Sequence, residues 1–302
     1  MLQFSMGALL LLPLWFGGLA IGEISKDFSQ CLDFFYKRTP PQGITAAGYD
    51  PICQRYKNRY RFASLYQRKH RAPLYSAYKL SPADGKRPDV SGMYEPQLES
   101  RTADPNMKPF PIPQPLYWKV KVSQAVFADY KDSGYTRGHL NPSMHQRTMD
   151  DRTATFTLTN IVPQRNGSNA GTWNSLEREV LRRKAFCRGQ MYVITGTMPY
   201  RSGAHRINER VSVPEYMWSA YCCPSYRSDL PGYMKPFFPT YAAVGRNDRN
   251  SGEEIVPVDP NVNAEKQGYD VRRMSLETLE GILITRLRMP VSLFKGHCKN
   301  KE

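Results

Sequence analysis

Residues 134–142 read Gly-Tyr-Thr-Arg-Gly-His-Leu-Asn-Pro and set one histidine, His139, among turn formers. A histidine flanked by Gly, Asn and Pro stands at the end of an ordered element, not inside one. A neutral imidazole can take a proton from water near neutral pH. Arg137 offers a planar fork of donors for a phosphate, and Gly138 lets the backbone pass close to a ligand. Alone, so short a pattern reads more simply as a turn with an exposed His and Arg.

A second group follows. Residues 159–164, Thr-Asn-Ile-Val-Pro-Gln, end a strand, and Asn169 precedes a helix carrying Trp173, Leu176 and Glu177. At 100° per residue, Asn169 and Glu177 lie about 80° apart and border one rim of that helix. A hard divalent ion takes amide or carboxylate oxygens and keeps several waters. Asn169 suits the direct oxygen, and Glu177 suits the waters around the ion. Taken singly, Asn169 is equally an N-cap and Glu177 equally a solvated helix face.

The elements that must position these residues are mixed. Residues 61–79 predict two strands around a basic, solvated turn that includes His70. The Pro-rich stretch 81–115 is a long loop within one domain. The alternation over 153–161 predicts a strand. Residues 172–186 predict a helix with Trp173, Leu176 and Val180 on its apolar stripe. Strands are expected at 190–196 and 210–222, the latter an edge strand or one bulged at Pro214, and a late helix at 275–288. The strands are mostly consecutive, so the fold class is α+β, with a mostly antiparallel sheet flanked by helices. His145, His205 and His297 are surface or structural residues, and Met144 and Trp118 are packing residues.

The chain has 302 residues, 42 Lys and Arg against 27 Asp and Glu, a net charge of +15, 40% apolar and 23% charged residues. That is a globular composition and excludes a disordered tail or a small disulfide knot. The positive charge calls for an anionic partner: nucleic acid, an acidic glycan or a membrane surface. Residues 1–22 read as a secretory signal, leaving 23–302 as a single domain with no later span. Six cysteines follow, an even number suited to an oxidising compartment. Cys31 with Cys53 is the preferred pair, and Cys222 or Cys223 should hold Cys298.

The three motifs together, Gly-Tyr-Thr-Arg-Gly-His-Leu, Leu-Thr-Asn-Ile-Val-Pro-Gln and Asn-x-x-x-Trp-x-x-Leu-Glu, resemble the DNA/RNA non-specific endonuclease family, from about Arg61 to Tyr221. The resemblance implies the ββα-metal, or His-Me finger, fold and a metal-dependent endonuclease, which the signal reading of residues 1–22 makes a secreted one. It implies His139 as general base and Asn169 as the direct ligand of Mg2+ or Mn2+. Glu177 would hold the ion's waters, Asn160 would help position the site, and Arg137 would contact the substrate phosphate. The substrates would be DNA and RNA, held through their backbones with little sequence preference. Two positions depart from the family pattern: Thr136 stands where an Asp is usual, and Leu181 where an Arg often follows the helix Glu. They leave open a catalytically impaired protein that binds nucleic acid or another polyanion on the same fold.

Overall fold

The computed structural model describes residues 24–44, 48–201, 203–296 and 298. The expected signal, 1–22, and His297 lie outside them. The chain opens with β1 (Asp50–Tyr56), β2 (Arg59–Gln67) and β3 (Ala72–Leu80). Lys57 and Asn58 turn β1 into β2 with φ of 49° and 59°, the backbone that a two-residue hairpin with the natural strand twist requires. The Pro-rich stretch carries the short pair β4 (Met93–Tyr94) and β5 (Lys108–Pro109), and after it come α1 (Leu116–Ser123) and α2 (Phe127–Tyr130). Next are β6 (Thr136–His139), α3 (Met149–Ala154), β7 (Ile161–Gln164) and α4 (Trp173–Lys184). The chain continues through β8 (Met191–Met198), the pair β9 (Arg206–Ile207) and β10 (Val211–Ser212), β11 (Tyr216–Cys222), β12 (Thr240–Arg246), β13 (Val271–Met274) and α5 (Leu276–Leu287).

Seven strands form an antiparallel sheet in the order β1-β2-β3-β8-β11-β12-β13. Both faces are covered, so its central strands β8 and β11 are buried at nearly every position. On β11, Tyr216, Trp218, Ala220 and Cys222 face one core, shared with Leu276, Leu279 and Leu283 of α5 and with Phe28 and Phe35 of the N-terminal segment. Met217 and Tyr221 face the other, shared with Trp173, Leu176 and Val180 of α4 and with Leu140 and Val162. This alternation is the two-residue period of a strand. It seats the β6–β7 hairpin and α4 on one face of a rigid sheet.

The expected strand at 153–161 does not form. Thr148 and Asp151 cap each other reciprocally and start α3, and Leu158–Asn160 is a single 3-10 turn. The alternation there records burial, not extension: the Thr157 and Thr159 hydroxyls meet the buried Glu95 carboxylate, and Thr159 also takes the Gln54 amide. The expected strand at 210–222 is two strands, with Pro214 in the break between β10 and β11. Trp118 is not a packing residue, being 60% exposed. Disulfides join Cys31 to Cys53, Cys222 to Cys298, and Cys187 to Cys223. The adjacent cysteines thus point to opposite faces of the sheet, Cys222 in the α5-side core and Cys223 in the α4-side core.

Candidate active site

β6 and β7 pair antiparallel with Thr136 opposite Gln164 and His139 opposite Ile161. Gly138 lets them close: a Cβ there would stand 2.2 Å from Gln164 Oε1. Gly134, at φ 73°, makes the turn that leads into the hairpin. The hairpin, the Pro-rich stretch and the turn that precedes α4 border a cleft of about 950 Å3 lined by Arg87, Lys131, Thr136, Arg137, His139 and Asn169, among others.

His139 sits in this cleft half-buried, its ring edge-on to Phe156 at 5.0 Å between centroids. Its Nε2 is shielded from solvent and finds no hydrogen-bond partner among the described residues. Burial, then the nearby cations Arg87 and Arg137, push its pKa down to about 3. The imidazole is therefore neutral at pH 7 and able to accept a proton.

Asn160 lies behind the cleft, fully buried. Its Oδ1 accepts from Ser76 Oγ at 2.8 Å and from the Asn141 N–H at 3.0 Å. Its Nδ2 donates to the carbonyls of Asn141 and Thr155 at 3.0 and 2.8 Å. All four hydrogen-bonding positions of the amide are used, and they clamp the chain just past His139.

The helical rim expected for Asn169 and Glu177 is not what forms. Residues 167–172 are a wide turn broken at Gly171 (φ −103°, ψ −108°), and α4 begins only at Trp173. Asn169 turns into the cleft, where its Nδ2 donates to Thr136 Oγ1 at 2.8 Å. The Thr136 hydroxyl donates its one proton to the Gln164 carbonyl at 2.7 Å. It can therefore only accept from Asn169, so the amide must present its NH2 to Thr136 and leave Oδ1 for another partner. An aspartate at 136 could also accept from Asn169, but as a carboxylate it has no proton for the Gln164 carbonyl.

Glu177 is not among the residues lining this cleft. It borders a small cavity beneath it with Leu140, His145 and Trp173. Burial raises its carboxyl pKa to about 8, against the opposing pull of Arg178 and Arg87. His145 is structural: its Nε2 lies 2.9 Å from the Glu177 carbonyl, and its Nδ1 lies 3.0 Å from the Tyr78 hydroxyl. A carbonyl only accepts, so Nε2 carries the hydrogen and Nδ1 accepts from Tyr78.

Burial holds the His145 pKa down to about 4. Between pH 6.5 and 4 the unfolded chain therefore binds a proton that the folded chain refuses, and stability is lost as pH falls through that window. Full titration costs about 3 kcal/mol. Urea unfolding at pH 7 and pH 4 should show the stability advantage of the wild type over His145→Gln shrinking by about that amount.

Of the cleft's cations the motifs marked Arg137 alone; Arg87 and Lys131 come from outside them. None of Arg178, Arg182 and Arg183 lines it. Arg183 is buried against Glu179 and lies 3.8 Å over the Phe237 ring. Arg87, from the Pro-rich stretch, lies 4.7 Å over Phe156, and Arg137 donates to the Ser91 carbonyl at 2.6 Å. The Gly-Lys-Arg-Pro run at 85–88 was the one signal for Arg87, a basic pair in a loop.

Among the described residues no three His, Cys, Asp or Glu converge as metal ligands. A cation here would thus rest on few protein oxygens. The oriented Oδ1 of Asn169 fits an ion that keeps most of its waters.

A two-stranded hairpin carrying a histidine, followed by a helix with an amide at its approach and laid on an antiparallel sheet, is the ββα-metal arrangement. A chain of the solved EndoG/EndoGI complex shares this fold, with a TM-score of 0.53 over 89% of this chain and 91% of that one, at 16% identity. Residues 41–274 match the model of the DNA/RNA non-specific endonuclease family, and the chain belongs to that family. It is 34% identical to the human Endonuclease domain-containing 1 protein over 228 residues, 72% of this chain and 44% of that protein. It is 32% identical to a Nostoc sp. nuclease over 154 residues, half of this chain and 51% of that one. The chain thus matches about half or less of each of these two relatives.

Proposed function

We propose that this protein is a secreted endonuclease that hydrolyses phosphodiester bonds of DNA and RNA with the help of Mg2+ or Mn2+. The observation that carries this reading is the neutral, half-buried His139 in one cleft with the oriented amide of Asn169 and the cations Arg87 and Arg137. His139 takes a proton from the attacking water as its oxygen bonds to phosphorus, and the bond to the 3′ oxygen breaks. Arg137 and Arg87 receive the phosphate oxygens. Asn169 would hold the ion through Oδ1, and Glu177 would hold the ion's waters from behind. When bound there, such an ion would supply charge stabilisation to the reacting phosphate. Asn160 positions His139 by clamping Leu140 and Asn141.

These groups all address the backbone, so cleavage is sequence-tolerant, and a charge of +15 makes binding fall steeply with salt. Three disulfides support an oxidising compartment. Among the described residues no helix is long and apolar enough to cross a membrane.

Supercoiled plasmid and RNA incubated with the purified protein should be cut with Mg2+ and left intact with chelator. Intact substrates with salt-sensitive binding would instead favour a polyanion-binding protein whose positions 136 and 181 mark a lost activity. The role given to Thr136 has its own test. Thr136→Val keeps the shape and removes the hydroxyl, freeing the Asn169 amide to turn over. The Mg2+ concentration for half-maximal cleavage should rise about 10- to 100-fold, while Thr136→Ser should stay near wild type.

A further inference from the structure

Beside the cleft lies a second cavity of about 330 Å3, lined by Ser91, Phe110, Ile112, Tyr117, Phe127 and their neighbours. Ser91 and Phe127 line both spaces, so the two adjoin. The Phe110 and Phe127 rings are stacked, 4.2 Å between centroids. The Arg137 guanidinium lies 4.7 Å over Phe127 while donating to the Ser91 carbonyl, which ties the phosphate side of the cleft to the aromatic side. Phe110, Tyr117 and Phe127 are only half-buried, so part of each ring is open to solvent. The proton transfer assigned to His139 makes no use of these rings. The cavity's size is that of a site for a small planar molecule.

We infer that this cavity takes an unpaired nucleobase of the strand whose phosphate lies in the cleft. Aromatic rings next to a cationic groove are how single strands are held without sequence preference, because every base has a π-face. A base in a duplex must leave its own stack to reach such a floor. The protein therefore prefers single-stranded DNA or RNA, or locally unpaired sites, to intact duplex. The proposal rests on the nuclease reading for where the phosphate sits, but base binding itself needs no cleavage.

The test uses the full chain carrying His139→Ala, with a fluorescein-labelled 12-nucleotide oligothymidylate and a 12-base-pair duplex as probes, followed by anisotropy. The single strand should bind at least tenfold more tightly than the duplex. Tyr117→Leu and Phe110→Leu keep apolar bulk and remove the ring; each should weaken strand binding about tenfold and leave duplex binding unchanged. Intrinsic emission gives a second readout. Trp173 and Trp218 are each 1% exposed, whereas Trp118, adjoining Tyr117, is 60% exposed, with Lys121 over its ring at 5.2 Å. Strand binding should change the Trp118 emission, and an unchanged buried-tryptophan signal will show that the leucine variants are folded.

Equal weakening of both probes, no weakening in folded variants, or a preference for duplex would overturn the proposal. If the wild type cuts nothing yet binds single strands through Tyr117, the subsite stands and the nuclease reading falls. If it cuts single strand and duplex alike and Tyr117→Leu changes nothing, the nuclease reading stands and the subsite falls.

Discussion

His139→Ala should lower the rate of strand cleavage by about 10²- to 10⁴-fold, the usual contribution of a positioned general base, and leave the affinity for uncut strand nearly unchanged. The ring's buried Nε2 has no partner among the described residues, and its neighbours along the chain are clamped by Asn160, so its removal deletes a proton acceptor without cutting a structural bond. Single-turnover cleavage with matched binding measurements checks this, and added imidazole should restore part of the rate by entering the space beside Phe156. The pH profile adds a second check. A free imidazole titrates near 6.5, but burial, Arg87 and Arg137 hold His139 near 3. Its protonation should therefore draw no acid limb between pH 5 and 8. A rate that falls below pH 7 with an imidazole's midpoint, and is cured of that fall in the His139 variant, would contradict the depressed pKa while keeping His139 as the proton acceptor; the same fall persisting in the variant would belong to another group.

Asn169→Ala should cost several kcal/mol of transition-state stabilisation, on the order of 10³-fold in rate, and should abolish the response to Mg2+ titration. In the proposed site the asparagine contributes one oxygen, and the Thr136 hydroxyl, by accepting from the amide NH2, leaves Oδ1 for another partner. Asn169→Asp separates charge from orientation. A carboxylate binds a divalent ion well, but it loses the N–H that Thr136 accepts and sets an oxygen against that hydroxyl's lone pairs. Its rate should fall between those of the wild type and the alanine variant. Full Mg2+-dependent activity in Asn169→Ala would remove this residue from the metal site and shift the role to another oxygen.

What could be read without coordinates was local. The helix Trp173–Lys184 follows from its apolar stripe, and the turn formers around His139 place it at the end of an ordered element, β6; the pairing of β6 with β7 is not legible in either segment alone. Ser275 caps the late helix by accepting from the Thr278 N–H, as its position ahead of an apolar run predicts. The pairing of Cys31 with Cys53 closes a short loop, and the arithmetic of such loops is local too.

The errors have physical causes of the opposite kind. The alternation over 153–161 was real, but its polar members were turned to a buried carboxylate from residue 95, which no window of nine residues contains. The 80° reckoning for Asn169 and Glu177 assumed one unbroken helix, and Gly171 breaks it.

The amino-acid sequence by itself determined the fold class and picked out the candidate proton acceptor and the candidate metal oxygen. Only the tertiary structure decided which cations face the cleft, which way the Asn169 amide points, and that an aromatic cavity adjoins it. Arg87 and His139 are far apart in the chain and meet through Phe156. Arg246, the most deeply buried arginine among the described residues, is held by carbonyls of Gly252, Val256 and Gly268 from a following loop. Contacts of that range depend on how a sheet of seven strands brings distant segments onto one face. Local propensity and spacing carry no term for it.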